Sequence, residues 1–309
     1  MSVSRSIALV GIGKIAHDQH IPAIAGDPNW HLTATVSRNA SLDGIESFQT
    51  IDAMLTARPD IKTVSLSIPP QPRFDYARKT IEAGRNVMLE KPPGQSLAEC
   101  HALRDMAEGA GVTIFATWHS RFADCVPDAK AWLADKVITR VNITWKEDVR
   151  RWHPGQDWVF EPGGMGVFDP GINALSILTE ILPFAVHIES ATLDVPSNRD
   201  TPVAAQLSFA NSQNASVTAD FDWLQTGPQT WDIAVETASG TLLLSDGGAI
   251  LIIDGVQVKT GSDHEYPNLY ARMAELVAAG TSEFDMRPMV QASDALSLGR
   301  RRLVDPFEF

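Results

Sequence analysis

Cysteine is almost missing from this chain. Two in 309 residues, Cys100 and Cys125, cannot build a disulfide framework and lack the spacing of metal ligands. Thiols this sparse suit a reducing compartment, and a cytoplasmic protein is expected. No run of Lys or Arg occurs, and a net charge of -13 with a pI near 5.0 leaves no basic surface for a phosphate backbone. Nucleic acid is therefore excluded as a partner. No apolar run approaches the roughly 18 residues of a membrane span, and Ile7 to Val10 is too short for the core of a signal peptide. No membrane partner is expected. The eight histidines have neither the spacing nor the carboxylate company of a metal centre, so no metal is expected either. What remains is 44% hydrophobic and 20% charged residues, an ordinary globular balance, in a chain long enough for two domains.

The first half alternates strand and helix. Ser6 to Val10 reads as a buried strand and runs directly into Gly11-Ile-Gly13-Lys14-Ile15-Ala16, after which the spacing becomes helical. This is a G-x-G-x-x-A fingerprint in the context of strand, tight turn and helix. Gly11 would make the turn, Gly13 would let backbone approach a pyrophosphate, and Lys14 and Ile15 would open the helix whose N-terminus favours that anion. The second strand, His31 to Val36, ends at Ser37-Arg38-Asn39 with no acid to hold a ribose 2′-hydroxyl. Ser37 and Arg38 thus favour NADP, with NAD possible. A solvated Arg in a loop remains the alternative.

Helices are expected over Ile51 to Ala57, Arg73 to Gly84 and Leu97 to Gly109, and strands over Thr63 to Ile68, Asn86 to Leu89 and Val112 to Ala116. Strands separated by helices of this length imply right-handed crossovers and a doubly wound parallel sheet. Pro69-Pro70 and Glu90-Lys91-Pro92-Pro93 both fall at strand C-terminal ends, the edge where such sheets bind ligands. Pro92 forces Lys91 out of the helical region, so Lys91 sits at a stiff strand end. Taken alone, it reads first as a solvated charge at a turn.

The rhythm stops after Trp118-His119, which places a boundary near residue 119. A helix from about Ala123 to Lys136 leads to an alternating strand, Val141 to Glu147, with Val141, Ile143, Trp145 and Glu147 on one face. A carboxylate ending an apolar face either emerges into solvent or points into a pocket. Trp152 and His153 follow, then Gly163-Gly-Met-Gly-Val-Phe-Asp169-Pro-Gly-Ile-Asn173. Asp169 and Asn173 share a helical face. Asp169 before Pro170 also makes a good helix N-cap. Val203 to Phe209, Ser216 to Trp223, Thr230 to Thr237, Thr241 to Ser245 and Ala249 to Ile253 suit an antiparallel meander. Tyr266 to Ala279 and Pro288 to Arg302 read as helices.

Gly11-x-Gly13-x-x-Ala16, the Pro69-Pro70 strand end and Glu90-Lys91-Pro92 together resemble the glucose-fructose oxidoreductase / inositol dehydrogenase (Gfo/Idh/MocA) family. The Gly163 to Asn173 stretch and the run Trp145 to Trp158 resemble the branch of bacterial aldose 1-dehydrogenases acting on L-arabinose and D-galactose. The resemblance implies a Rossmann domain over residues 1–119. It also implies a substrate-binding and oligomerisation domain over 120–309, α+β with a large open, mostly antiparallel sheet. It implies a cis bond before Pro92, and a homo-oligomer, dimer or larger, that covers the open sheet. Lys91 would contact both nicotinamide and sugar, with Glu90, Pro69, Pro70 and His119 lining the cofactor. A monosaccharide would meet Lys91, His119, Glu147, Trp152, His153, Asp169, Asn173 and Trp231. Where the family has a titratable His, this chain has Asn173.

The expected reaction is oxidation at C1 of L-arabinose or D-galactose to the aldonolactone. Lys91 and Asp169 form the expected acid–base pair, Asn173 orients the anomeric hydroxyl, and His153 is the alternative base. Another aldose or polyol, such as D-xylose or an inositol, or a non-catalytic NADP-bound sugar sensor, would use the same groups.

Overall fold

The structure is a computed structural model and describes residues 4–309. The chain divides into two compact units. The first holds residues up to His119 together with Glu265–Met286; the second holds Ser120–His264 and Arg287–Phe309.

In the first unit six strands, β1 (Arg5–Val10), β2 (Trp30–Val36), β3 (Glu46–Phe48), β4 (Thr63–Leu66), β5 (Asn86–Glu90) and β6 (Ile114–Thr117), form one parallel sheet in the order β3-β2-β1-β4-β5-β6. Helices α1 (Ile21–Gly26), α2 (Ile51–Ala57), α3 (Pro70–Glu82) and α4 (Leu97–Ala110) connect the strands. Every residue of β4 and β6 is buried, as continuous apolar runs in a sheet covered on both faces should be. Local chemistry sets the helix ends. The Thr50 side chain accepts the N–H of Ala53 and Ser96 that of Glu99, while Gly111 closes α4 at φ 64°. α3 starts three residues earlier than the spacing predicts, because Pro70 sits in its first turn, where no N–H is needed.

The second unit carries α5 (Val126–Leu133), β7 (Ile138–Lys146), α6 (Val149–Trp152), α7 (Phe168–Ile181) and β8 (Val186–Pro196). β9 (Ala204–Asn211), β10 (Ser216–Asp222), β11 (Thr230–Thr237), β12 (Gly240–Ser245), β13 (Ile250–Ile253) and β14 (Val256–Thr260) follow, and β15 (Arg300–Val304) closes the chain's strand set. The nine strands form one sheet in the order β14-β13-β12-β11-β7-β10-β9-β8-β15. It is mostly antiparallel, with parallel pairs at β7–β10 and β8–β15. α7 lies close against it at Gly171, where a Cβ would come 2.7 Å from the Phe221 ring. Only glycine lets the helix approach so near.

Two expectations need correction. The helix over 266–279, α8 (Glu265–Ala279), belongs to the first unit and not to the second. It buries Tyr266, Leu269, Tyr270 and Met273, and the Trp30 indole N–H donates to Tyr270 O at 2.9 Å. The helix expected over 288–302 is α9 (Arg287–Leu298), and Gly299 ends it. Arg300 to Arg302 then run along an exposed edge strand paired in parallel with β8. Among the described residues, no helix is long and apolar enough to cross a membrane, and no cluster of His, Cys, Asp and Glu is placed to hold a metal ion.

Candidate active site

In the first unit the residues singled out by the sequence follow the C-terminal ends of strands in one parallel sheet. Gly11 follows β1, Ser37 follows β2, Pro69 lies past β4, Lys91 follows β5 and His119 lies past β6. Gly11 has φ +92°, and a Cβ there would fall 2.7 Å from Ile68 Cγ2 and 2.9 Å from Ser67 O. The turn is therefore closed to any larger residue. Gly13 is different: a Cβ there would meet nothing within 4 Å. Backbone is open where a pyrophosphate must come close, and helical backbone begins at residue 14 with an exposed Lys14 and Ile15. The helix then widens into a π-type turn over Ala16–His20 before α1. Ser37 Oγ accepts the N–H of Ala40 at 3.2 Å, Arg38 is exposed, and no carboxylate follows β2. These residues fit a dinucleotide.

The Lys91 turn is fastened from three sides. The Lys91–Pro92 peptide is cis. Buried Arg73 of α3 donates to Glu90 O at 2.5 Å and also to Pro92 O and Ile68 O, tying the end of β5 to the end of β4. The Glu90 side chain turns back on its own backbone, with Oε2 accepting the Lys91 N–H at 2.9 Å. Its other oxygen receives Tyr266 Oη at 2.7 Å and lies 3.1 Å from His20 Nε2. His20 Nδ1 in turn lies 2.8 Å from Tyr270 Oη, which donates to Ser65 Oγ at 3.1 Å. Burial pushes the Glu90 carboxyl up, but its bond to His20 and the charges of His20 and His119 win, holding it down at about 2. Lys91 thus rests on a carboxylate that stays ionised. Arg73, His20, Tyr266 and Tyr270 were not anticipated. The one available signal was composition: two of only three tyrosines in the chain sit four residues apart on one helix.

In the second unit the alternating face of β7 is followed by a buried carboxylate, one of the two outcomes the pattern left open. Glu147 is 5% exposed; Oε1 accepts the Trp223 indole N–H at 3.0 Å and Oε2 that of Trp231 at 2.9 Å. The solvent alternative is thereby ruled out. Trp231 stacks on Trp145 with ring centroids 5.9 Å apart and packs on Trp152 at 5.7 Å. The indole nitrogens of Trp145 and Trp152 are buried without a protein acceptor. The N-cap reading of Asp169 also fails: α7 begins at Phe168, so Asp169 lies inside the first turn with its carboxylate 3.1 Å from His153 Nε2. Gln156 Oε1 lies 3.3 Å from His153 Nδ1 and accepts the Trp158 indole N–H at 3.2 Å. Asn173 is half-buried one turn further along α7. An aromatic wall, an imidazole–carboxylate pair and an amide therefore stand in one unit.

The model of an oxidoreductase family with an NAD-binding Rossmann fold, GFO_IDH_MocA, matches residues 5–117. The galactose 1-dehydrogenase of Pseudomonas fluorescens is 39% identical over 303 residues, which cover 97% of this chain and 98% of that protein. The chain belongs to the Gfo/Idh/MocA family. A crystal structure of a D-galactose-1-dehydrogenase from Rhizobium etli is 50% identical, with a TM-score of 0.96 over 100% of this chain and 99% of that one. A 3-ketoreductase from Actinomadura kijaniata, solved in complex with NADP, shares the fold at a TM-score of 0.85 and 17% identity, covering 97% of this chain and 99% of that one. A Gfo/Idh/MocA protein is an NAD(P)-dependent oxidoreductase, and Lys91 stands at the sheet edge where that family's Rossmann unit binds its dinucleotide.

Proposed function

We propose that this oxidoreductase is an aldose 1-dehydrogenase that oxidises C1 of D-galactose or L-arabinose to the aldonolactone, with NADP preferred over NAD. Its substrate is a monosaccharide, and its setting is the cytoplasm. It acts as a homo-oligomer, a dimer or larger. The observation that carries the reading is the second unit's His153–Asp169 pair at 3.1 Å, with Asn173 on the same helix and Trp152 and Trp231 beside them. A sugar ring offers a flat C–H face and a rim of hydroxyls, and indoles with polar neighbours supply both kinds of partner.

A bound nicotinamide would supply the hydride acceptor. The protein's part is position and proton handling. Lys91 is held by Glu90 and Arg73 to meet the cofactor and the anomeric hydroxyl. Asp169 accepts that hydroxyl's proton in concert with Lys91, while His153 fixes the carboxylate and Asn173 orients the oxygen. Arg38, with Ser37, reads the 2′-phosphate of NADP. Glu147 keeps Trp231 and Trp223 in place, and self-association of the second unit's sheet covers its open face.

The test is to follow NADPH absorbance with purified protein, NADP or NAD, and D-galactose, L-arabinose, D-xylose, D-glucose and myo-inositol. Turnover confined to galactose and arabinose supports the reading. Turnover with xylose or inositol instead replaces the substrate, and saturable NADP binding without turnover leaves a sugar sensor. Arg38→Ala should weaken NADP far more than NAD; equal losses would remove the 2′-phosphate role.

A further inference from the structure

The helix that opens at the Gly11–Ala16 fingerprint does not run straight into α1. The N–H of His17 still reaches Gly13 O at 3.2 Å, but that of Ile21 bonds to Ala16 O, five residues back. Pro22, in the first turn of α1, has no N–H, and its ring crowds the carbonyl four residues before it. The ladder widens by one residue just ahead of it. His20 ends that widened turn and is buried, and the proposed reaction has no use for it.

Three elements surround its ring. Nε2 lies 3.1 Å from Oε1 of Glu90, the last residue of β5, and Nδ1 lies 2.8 Å from Tyr270 Oη on α8. Tyr270 also donates to Ser65 Oγ on β4 at 3.1 Å. A carboxylate only accepts, so Nε2 carries a hydrogen and His20 is a donor to Glu90. Oε1 receives that hydrogen and the Tyr266 hydroxyl, while Oε2 takes the N–H of Lys91 at 2.9 Å. Burial works against an ionised Glu90, and the bond and charge of His20 are the strongest of the influences that outweigh it. A carboxylate held through one oxygen by His20 thus keeps its other oxygen on the backbone of Lys91. All of these residues belong to the first unit.

We infer that His20 is a positioning residue for Lys91: it ties the helix that opens at the glycine fingerprint, through Glu90, to the turn that carries the Lys91 ammonium. The inference rests on the reading of Lys91 as the group that meets the cofactor. It gives one helix two tasks. Backbone at its start is open to a pyrophosphate at Gly13, and the widened turn at its end sets the Lys91 turn. Loss of His20 leaves the first task untouched. It removes a donor from a buried carboxylate, which then shifts towards Tyr266 or takes up a proton and lets go of the Lys91 N–H.

The experiment compares His20→Leu with His20→Gln, whose amide N–H₂ can still reach Glu90. Hydrogen exchange at the Lys91 amide, read by mass spectrometry with residue-level fragmentation, is followed beside kcat for D-galactose and the Kd for NADP. In His20→Leu the Lys91 amide should exchange about tenfold faster and kcat should fall about tenfold, with Kd within about twofold of wild type. His20→Gln should restore both protection and kcat. His20→Asn, polar but too short to reach Glu90, takes the place of the leucine variant if that one does not fold, and the same losses are expected of it. A merely structural role would lower stability and NADP affinity along with kcat, and in the glutamine variant as well. That outcome, or a Lys91 amide as protected in the leucine or asparagine variant as in wild type, overturns the inference. The exchange arm needs no turnover. Faster exchange at Lys91 with kcat unchanged would uphold the link and overturn the part given to Lys91 in the reaction.

Discussion

The Nε2 atom of His153 lies 3.1 Å from Oδ2 of Asp169. Two residues that the sequence offers as alternative bases are thus one hydrogen-bonded pair. Removing either should not be equivalent. Asp169→Asn keeps the shape but removes the proton acceptor, and kcat should drop by about a hundredfold or more. His153→Asn should act mainly on KM, because it loosens a carboxylate that can still take the proton. Steady-state kinetics on both variants decides between them. A larger kcat loss in the His153 variant would make the imidazole the base.

Glu147 accepts two indole N–H groups and lies 5% exposed. Glu147→Gln leaves one oxygen for two donors and turns an amide N–H₂ towards the second indole. A buried donor left unmet costs about 1–3 kcal/mol, so the second unit should be destabilised by that amount. Urea unfolding followed by tryptophan fluorescence measures it. Unchanged stability would mean that the carboxylate is not what holds Trp223 and Trp231.

How far these sites could be read from sequence depends on how local their causes are. The Gly11 turn, the strand ending at Lys91 and the apolar face ending at Glu147 are each set by neighbours within a few residues, and periodicity reports them. The grip of Tyr266 on Glu90 is not local. Helical spacing marks α8 as a helix, but it cannot say which sheet receives its buried face, and sequence order wrongly assigns it to the second unit. Arg73 looks like a surface charge in a helix until the fold places it 2% exposed over three carbonyls. Four strands gave no clear pattern, and β3 has only three residues. β14 exposes every residue, β15 nearly so, and the alternation of β8 is interrupted by a register shift between Ile188 and Ser190.

Glu90 makes the first unit sensitive to acid. In the folded protein its carboxyl titrates near 2 instead of the ordinary 4.5, so the unfolded chain takes up the proton first. The stability this confers is complete above about pH 4.5 and disappears as pH falls towards 2. Its size is on the order of 3 kcal/mol. Glu90→Gln removes the titrating group. Urea unfolding at pH 6 and pH 3.5 should show wild type losing its advantage over the variant at the lower value. A constant difference between the two proteins would mean that Glu90 is not ionised in the fold.

The segment at Phe307 holds the His153 side of the second unit from behind. Phe307 is 4% exposed and packs on Phe160 with centroids 5.2 Å apart, while the guanidinium of Arg150 sits 4.8 Å from its ring. Arg199 donates to Phe307 O at 3.1 Å and to Asp157 at 2.6 Å. Phe160 in turn packs on Trp223 at 5.5 Å, and Trp223 on His153 at 5.3 Å. A ring lost at the start of this series leaves a void that the turn over Asp157–Phe160 can relax into. Phe307→Ala should cost about 3 kcal/mol of stability. Its kinetic effect should be selective: the KM for sugar rises several-fold, while dinucleotide binding, which belongs to the first unit, stays as it was. Titrating NADP and sugar separately against the variant tests this, and an equal loss of both affinities would show that Phe307 supports the fold at large and not the His153 wall.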